Sequence, residues 1–124
     1  MTIQLVPSGN ASGQDATQSA IQAITSETLD TDNKGLKIGT LSIQVNSASL
    51  NSADATVRLQ HSDDNSNYNN IDTTDSTVGL MTLASGTAIQ VLTPVTFLAM
   101  RYYRVVYTPN TNTAGTIKVI ANLL

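Results

Sequence analysis

The sequence predicts an all-β fold, an antiparallel β-sandwich or barrel, on three observations. About eight segments of the 124 residues alternate apolar and polar side chains, which is the pattern of half-buried strands. Clusters of Gly, Asn, Asp, Ser and Pro separate these segments at regular spacing, and no segment has a clear helical period. Ser, Thr and Asn make up about a third of the chain, charged residues make up 12%, and 40% of the residues are apolar. This composition is typical of a folded, Thr-rich β protein rather than a disordered chain.

The N-terminal part contains one short predicted strand and a connection. Residues 2–6 (TIQLV) are β-prone and end at a proline, and residues 8–17 are small and polar with two glycines. Residues 18–29 have some helical spacing, but their β-branched content favours a strand, bent in the middle. We therefore expect an N-terminal arm with a flexible connection over residues 1–17 and a β-sandwich domain over residues 18–124.

The middle of the chain gives clearer strand signals. Residues 36–46 alternate with one phase slip at Gly39–Thr40, and a slip beside a glycine indicates a β-bulge. Residues 56–61 alternate cleanly and lead into a polar loop over residues 62–70. Two short apolar runs then flank the turn sequence ASG, which predicts a hairpin over residues 78–92.

The C-terminal part has the strongest strand signal, over residues 97–108. One face of this segment carries Tyr103, Val105 and Tyr107, and the other carries Tyr102, Arg104 and Val106. Residues 109–115 (PNTNTAG) predict a hairpin loop, and residues 116–124 alternate again to close the chain.

Composition also narrows the class of partner. Six basic and nine acidic residues give a net charge of −3, which argues against nucleic acid because phosphate binding requires a basic surface. No apolar run approaches the ~18 residues of a membrane span, and the N-terminus lacks the features of a secretory signal. The absence of cysteine excludes disulfides, zinc–thiolate sites and thiol catalysis. We expect no nucleic acid, no membrane, no cofactor and no metal.

Candidate catalytic residues are few. The only histidine, His61, continues the phase of Val57 and Leu59, which favours an inward or strand-end position over the role of a catalytic base. Asp72 and Asp75 would need a cleft with aromatic platforms to act as a glycosidase pair, and aromatic residues are 4% of the chain. The sequence therefore predicts a protein that is not an enzyme.

The polar loop over residues 62–70 is compatible with calcium binding and with an ordinary sandwich loop. Alternating Asp and Asn residues at its start have the oxygen spacing of a calcium loop, but later positions lack the required glycine and glutamate. Asp and Asn also favour turns by bonding to their own backbone. The ordinary loop is favoured, with Asp63, Asp64 and Tyr68 as candidate contact residues.

Three stretches of the sequence resemble a known family. They are SAIQAITSETLDTDN (19–33), TVRLQHSDDNSNYNNI (56–71) and MRYYRVVYTPNTNTAGTIKVIANLL (100–124). Together they resemble the jelly-roll head decoration, or cement, proteins of tailed bacteriophages, over roughly residues 19–124. The resemblance implies a jelly-roll sandwich that binds the major capsid protein on the outside of the head as a homotrimer. Such a protein is made in the host cytoplasm, bridges capsomers in the virion and has no catalytic residues.

Two contact regions are expected in such an assembly. The expected contact with the capsid or a neighbour is the N-terminal arm, with Thr2, Ile3, Gln4, Leu5 and Val6. A β-prone pentapeptide on a Gly/Ser connection can add a strand to an adjacent sheet edge. The expected trimer contact is the strand with Arg101, Tyr102 and Arg104, because Arg and Tyr are enriched in interfaces. The alternative for these arginines is a solvent-facing strand whose arginines pair with nearby acids.

Two other functions stay open at this point. One is a tail-associated receptor- or glycan-binding β-sandwich module that would use Tyr68 and its loop. The other is a small β-sandwich enzyme that would depend on His61 or on Asp72 and Asp75.

Overall fold

The computed structural model describes residues 2–7, 17–32, 37–72, 77–98 and 100–123. Within these residues the chain forms twelve β-strands, and no helix is long and apolar enough to cross a membrane. The first six strands are β1 (Thr2–Val6), β2 (Gln18–Ser19), β3 (Ile24–Thr25), β4 (Leu29–Asp30), β5 (Lys37–Leu50) and β6 (Thr56–Ser62). The other six are β7 (Asn69–Asn70), β8 (Leu80–Thr82), β9 (Gly86–Val91), β10 (Val95–Leu98), β11 (Tyr102–Thr108) and β12 (Thr116–Leu123).

The strands form two antiparallel sheets of six strands each. Sheet A has the order β1-β12-β5-β10, with β2 also on β12 and β9 also on β5. Sheet B has the order β3-β11-β6-β7, with β4 also on β11 and β8 also on β6. The long strands β5, β6, β11 and β12 therefore occupy the centres of the sheets, and the short strands occupy the edges.

At each edge of the two sheets, two short strands pair with the same central strand, one after the other along its length; we call these short strands half-strands. On β12, Val6 of β1 pairs with Val119 and Gln18 of β2 pairs with Ile117, so the two halves lie in line. The pairs β3/β4 on β11, β7/β8 on β6 and β9/β10 on β5 have the same arrangement. When each pair of halves is taken as one strand, the molecule is an eight-stranded sandwich.

The strand order identifies the sandwich as a jelly roll. Numbered along the chain, the eight strands lie in the order 1-8-3-6 in sheet A and 2-7-4-5 in sheet B. Most connections cross from one sheet to the other, and this double-sheet pattern of eight strands is that of a jelly roll. The predicted fold class, an all-β antiparallel jelly-roll sandwich of about eight strands, is confirmed.

The hydrophobic core lies between the sheets because alternate side chains of each central strand point inward. The buried inward side chains are Leu41, Ile43 and Val45 on β5, Val57 and Leu59 on β6, Tyr103, Val105 and Tyr107 on β11, and Ile117, Val119 and Ala121 on β12. The predicted division of residues 102–107 into two faces is confirmed, and the face with Tyr103, Val105 and Tyr107 is the inward one. The predicted bulge at Gly39–Thr40 is confirmed too, because the register between β5 and β10 shifts at this point.

The predicted hairpins are wrong, because their two arms belong to different sheets. Within 78–92, β8 pairs with β6 in sheet B, whereas β9 pairs with β5 in sheet A. The connection 109–115 likewise crosses from β11 to β12. Buried Asn112 fixes this crossing, since its Nδ2 donates to the carbonyl oxygens of Ala20 (3.0 Å) and Ala114 (2.7 Å).

Two predicted single strands are also divided between the sheets. The segment 18–29 contains β2 in sheet A and β3 and the start of β4 in sheet B. The segment 97–108 contains the end of β10 in sheet A and all of β11 in sheet B. Both segments are continuous in β propensity, so the crossing has no signal in local composition.

The N-terminal arm differs from the expected arrangement. β1 pairs with β12 of its own chain, and the side chains of Gln4, Leu5 and Val6 are buried. β1 is therefore part of the sandwich, although residues 1–17 were expected to form a separate arm. The expected connection over 8–17 falls outside the described residues except for Thr17.

Candidate functional site

The two outer faces of the sandwich have different chemistry. The described outward side chains of sheet A are Thr2, Gln4, Ser19, Ser42, Gln44, Asn46, Ala48, Thr87, Ile89, Val91, Thr116, Lys118, Ile120 and Asn122. Gln4, opposite Ile120, is buried although it lies on this face. The described outward side chains of sheet B are Thr25, Asp30, Thr56, Arg58, Gln60, Ser62, Asn70, Leu80, Thr82, Tyr102, Arg104, Val106 and Thr108. Lys118 is the one charged side chain in the first set. The second set contains three charged side chains, Asp30, Arg58 and Arg104, and it also contains Tyr102, whose ring lies under the guanidinium of Arg101.

The outer face of sheet B is built around Arg104. Its guanidinium carbon lies 3.9 Å from the ring centroid of Tyr68, and its Nε donates to Gln60 Oε1 over 3.0 Å. Gln60 in turn donates from Nε2 to Asn70 Oδ1 over 3.4 Å. Arg104 therefore connects the central strand β11 to β6 and to the loop that contains Tyr68.

Tyr68 ties the loop after β6 to the segment between β3 and β4. Its hydroxyl donates to Asn65 Oδ1 over 2.5 Å and lies 2.8 Å from Thr28 Oγ1. Thr28 Oγ1 also donates to Asn65 Oδ1 over 2.9 Å. Because the guanidinium of Arg104 covers one face of its ring, Tyr68 is half-buried and has partners at both its ring and its hydroxyl.

Asp64 closes the same loop on itself. Its Oδ1 accepts from the backbone N–H groups of Ser66 (2.9 Å) and Asn67 (2.8 Å), and its Oδ2 accepts from Asn67 Nδ2 (2.8 Å). These donors, with the Asn67 backbone first, hold the pKa of Asp64 well below its usual range. Asp63 beside it is exposed. Of the three candidate contact residues of this loop, Asp64 and Tyr68 therefore hold its conformation through hydrogen bonds, and Asp63 faces solvent.

Arg101 forms an ion pair at the start of β11. Its Nε and Nη2 donate to the two carboxylate oxygens of Asp30 over 2.8 and 2.9 Å, and Nη2 lies 3.6 Å from Asp32 Oδ1. The hydrogen bond to Arg101 lowers the pKa of Asp30 to about 2. The Arg101 guanidinium carbon also lies 5.1 Å from the Tyr102 ring centroid. The three residues expected in a trimer contact are therefore adjacent, and both arginines have partners within the chain.

The outer face of sheet A instead presents exposed apolar side chains. Ile89 is 71% exposed and Val91 is 58% exposed, the highest values among the described large hydrophobic side chains. Both lie on β9, and Val91 pairs with Gln44, which pairs on its other side with Ile120. This exposed apolar pair was not predicted from the sequence. In TAIQVL both alternating sets of side chains are largely apolar, so the sequence does not show which set faces outward.

The N-terminal contact residues lie at the opposite edge of the same face. Thr2 is exposed and donates from Oγ1 to Asn122 Oδ1 over 3.0 Å, whereas Ile3 is half-buried. Gln4, Leu5 and Val6 are buried within the protein. Of the five residues expected to contact a neighbour, Thr2 and Ile3 are the two with accessible surface.

The described residues bring few groups together for catalysis. His61 is half-buried with its ring centroid 6.0 Å from that of Tyr103, as its inward phase predicts, and burial lowers its pKa. Asp75 lies outside the described residues. Among the described residues, no three His, Asp or Glu side chains are grouped so that they could hold a metal ion.

An open cavity of about 440 Å³ lies between the edges β7/β8 and β9/β10. Its lining comprises Ile71, Thr77, Val78, Gly79, Leu80, Leu92, Thr93, Pro94 and Val95. None of these side chains is ionisable, so they supply neither an acid nor a base for a reaction.

Comparison with known proteins gives one match. A family model named Bbp16 matches residues 10–121, which is about nine tenths of the chain. Neither a curated protein nor a solved structure is similar enough to count as a match.

Proposed function

We propose that this chain, which belongs to the Bbp16 family, is a structural virion protein that binds the outer surface of a phage capsid as a homotrimer. In this role it bridges capsomers and stabilises the shell. The observation that carries the proposal is the outer face of sheet A, where Lys118 is the one charged residue among the described outward side chains and accompanies the exposed Ile89 and Val91. The resemblance of residues 19–124 to head decoration proteins suggests that the partner of this face is the outer surface of a capsid.

The chemistry of this face suits contact with a protein. Burial of exposed apolar surface contributes about 25 cal/mol per Å², and exposed apolar patches mark interaction sites. Ser, Thr, Asn and Gln side chains around Ile89, Val91 and Ile120 can exchange hydrogen bonds across an interface without the cost of burying charge. Since few charges take part, attachment should depend only weakly on salt concentration.

The arrangement of β1 joins the expected N-terminal contact to this face. Thr2 lies on the outer face beside Asn122, and β1 forms one edge of sheet A. In the proposed contact Thr2 meets the shell, while Ile3 packs against the hydrophobic core and Gln4, Leu5 and Val6 are buried.

The homotrimer contact is proposed for Arg101, Tyr102 and Arg104, on the other sheet. Asp30 binds Arg101 and Gln60 binds Arg104 within the chain, so Tyr102 is the residue most available to a neighbour. Three copies that bind one three-fold site multiply a modest contact through effective concentration. A protein that binds only the assembled shell stabilises it through linkage.

The test uses cosedimentation with expanded heads assembled from the major capsid protein of the same phage. The variant Ile120→Lys places a charge in the middle of the outer face of sheet A. Its matched control is Leu80→Lys, which changes a half-buried outward side chain on the edge strand β8 of sheet B, away from the proposed trimer contact. We expect the wild type and Leu80→Lys to cosediment and to raise the temperature at which heads disassemble, and Ile120→Lys to lose at least tenfold in affinity.

Two outcomes would contradict the proposal: no binding of the wild type to heads, or equal binding of the two lysine variants. In the first case a glycan screen would follow, for the tail-associated alternative. That alternative has less support from the geometry, because Arg104 covers one face of Tyr68, the aromatic side chain expected to stack on a sugar.

A further inference from the structure

The open cavity between the edges β7/β8 and β9/β10, which we call the edge cavity, has the size of a small-molecule site. Its volume of about 440 Å³ lies within the roughly 300–1,000 Å³ of ligand pockets in proteins. It lies where each edge changes from one half-strand to the next, with Ile71 and Gly79 at one junction and Leu92 and Pro94 at the other. The cavity is therefore built jointly by both sheets.

The inner part of the edge cavity is apolar and adjoins the hydrophobic core. Leu92 is buried and belongs to the core, and Ile71 and Val95 are half-buried and pack against it. An aliphatic chain beside these three side chains would exchange water for apolar surroundings, which is favourable in proportion to the apolar area that it buries. The inner part of the cavity therefore favours an apolar ligand.

Backbone hydrogen bonds hold both walls of the edge cavity against the central strands. On one wall, the Leu92 N–H donates to the Ile43 carbonyl oxygen of β5 over 2.9 Å. On the other wall, the Leu59 N–H of β6 donates to the Gly79 carbonyl oxygen over 2.8 Å. The site is therefore formed in the free protein, so a ligand does not have to open the sheets before it binds.

The mouth of the edge cavity is polar and uncharged. Thr77 and Thr93, one from each edge, are exposed, and a threonine hydroxyl both donates and accepts hydrogen bonds. The described lining contains no ionisable side chain that could neutralise a charged head group, and burial of an unpaired charge is costly. Asp72 directly follows Ile71, and the chain has a net charge of −3, so an anionic head group would also be repelled. The mouth therefore favours an uncharged head group with a hydroxyl.

An extended peptide fits the edge cavity less well than a small molecule does. A peptide that adds to a sheet edge needs a regular row of backbone groups with which to pair. Pro94 has no N–H to contribute to such a row. Residues 77–79 form a turn, and the Leu80 N–H donates to the Thr77 carbonyl oxygen over 3.3 Å. The described parts of both junctions therefore lack the row that a peptide would need.

We propose that the edge cavity binds a single-chain aliphatic molecule with an uncharged, hydroxyl-bearing head group, such as a long-chain alcohol or a monoacylglycerol. The chain lies against Ile71, Leu92 and Val95, and the head group bonds to Thr77 and Thr93 at the mouth. A ligand that contacts both sheet edges and binds only the folded chain stabilises the fold through linkage. This inference does not rest on the proposed function, because it requires neither a capsid nor a second copy of the chain.

The test follows the methyl signals of labelled isoleucine side chains by NMR while n-octanol is titrated into the purified protein. Ile71 lines the edge cavity, whereas Ile89 is 71% exposed on the outer face of sheet A. The two signals therefore distinguish binding in the cavity from adsorption to exposed apolar surface. We expect the Ile71 signal to shift and to saturate, and the Ile89 signal to stay in place over the same range of concentrations.

The chemical class of the ligand is tested on the same wild-type protein. The alcohols n-hexanol, n-heptanol and n-octanol differ by one methylene each, and each added methylene should lower Kd about threefold to fourfold. Octanoate has the chain length of n-octanol but is charged at neutral pH, so we expect it to bind at least tenfold more weakly. Equal affinities for octanoate and n-octanol, or an Ile71 signal that does not move, would overturn the inference.

A matched pair of variants tests the position of the site. Thr93→Trp places a large side chain at the mouth, whereas Thr82→Trp changes an exposed threonine of β8 that is not among the lining residues. We expect Thr93→Trp to weaken n-octanol binding at least tenfold and Thr82→Trp to change it less than twofold. An unchanged signal of the buried Ile117 methyl group shows that each variant is folded. Equal binding by the two variants would contradict the inference, and the comparison of octanoate with n-octanol decides it even if Thr93→Trp fails to fold.

Discussion

The outer faces of the two sheets differ in where their side chains find partners. On sheet B, Arg104 binds Gln60 and stacks on Tyr68, and Arg101 binds Asp30. On sheet A, Ile89 and Val91 extend into solvent. Sheet B thus uses outward side chains to hold its own loops, whereas sheet A leaves these two apolar side chains exposed.

The same inner architecture supports both faces. β12 buries Ile117, Val119 and Ala121 against the other sheet, and β11 buries its own alternate set, centred on Val105. Because alternate residues of a strand point to opposite faces, the outward set can change without disturbing the inward set. The comparison shows how a small sandwich separates stability from recognition.

The largest effect on stability is expected from a substitution at Gly115, which packs closely against β5 of sheet A. Gly115, just before β12, has a φ of 90°, and a Cβ there would overlap the carbonyl oxygen of Ala48. Gly86 at the start of β9 has a φ of 82°, but a Cβ there would meet no atom within 4 Å. We expect Gly115→Ala to lower the free energy of unfolding by about 3 kcal/mol or more, and Gly86→Ala by about 1 kcal/mol, the backbone cost alone. Urea unfolding measures the free energy of unfolding of both variants. Equal decreases for the two would contradict the prediction, because they would show that the backbone of β5 at Ala48 moves away from the added Cβ at little cost.

A smaller effect on stability is expected when the contacts of Arg104 with Tyr68 and Gln60 on sheet B are removed. Arg104→Ala removes a cation–π contact and a hydrogen bond, which contribute about 1–2 kcal/mol together. The matched change on sheet A is Gln44→Ala, which removes one hydrogen bond to Asn46 and should cost no more than about 0.5 kcal/mol. Thermal unfolding of both variants tests the difference. A loss for Gln44→Ala as large as that for Arg104→Ala would contradict the contrast between the faces.

The smallest effect is a local response to acid. Hydrogen bonds lower the pKa of Asp30 to about 2 and also lower that of Asp64. A carboxyl group whose folded pKa lies below its unfolded value of about 3.9 stabilises the folded state above that value, and the contribution is lost as the pH falls toward the folded pKa. Both groups belong to sheet B and its loop. Amide hydrogen exchange, corrected for intrinsic rates, should therefore show lower protection at pH 3 than at pH 5 in residues 62–68 and in β4.

Sheet A provides the internal control for that measurement. Protection in β9 should change little over the same pH interval, since Asp30, Asp54 and Asp64, the described carboxyl groups with a lowered pKa, all lie elsewhere. In the variant Asp30→Asn, the protection of β4 should no longer differ between pH 3 and pH 5, because the group whose pKa is lowered is absent. Equal loss of protection in both sheets would indicate global acid unfolding and would contradict the local account.

The sequence was sufficient for the fold class and for the inward faces of the central strands. Alternation in 97–108 separated the face with Val105, which is buried, from the face with Arg104, and the phase slip beside Gly39 predicted the bulge. These features depend on neighbours in sequence, so local patterns contain them. Turn residues show that a chain reverses, but not whether it returns to the same sheet or crosses to the other. For this reason both hairpin predictions, over 78–92 and at 109–115, were wrong.

The contacts on the outer faces were less accessible to sequence reasoning. Arg104 and Tyr68 are far apart in the chain, and their stacking depends on how the loop after β6 returns over sheet B. The ion pair between Arg101 and Asp30 joins residues that are 71 positions apart, about twice as far along the chain. The alternative of arginines paired with nearby acids is confirmed for Arg101. Long-range pairs of this kind require the strand order, which periodicity does not supply.

The halved edge strands have a consequence for how the protein can be altered. Between the two halves of an edge, extra residues leave the registers of β5, β6, β11 and β12 unchanged, and lengthening a surface loop costs little closure entropy. The junction between β7 and β8, on the sheet opposite the proposed shell contact, is therefore a natural site for grafting foreign peptides. If the protein coats a capsid as proposed, each particle would then carry such a graft in many regularly spaced copies, as a vaccine scaffold requires.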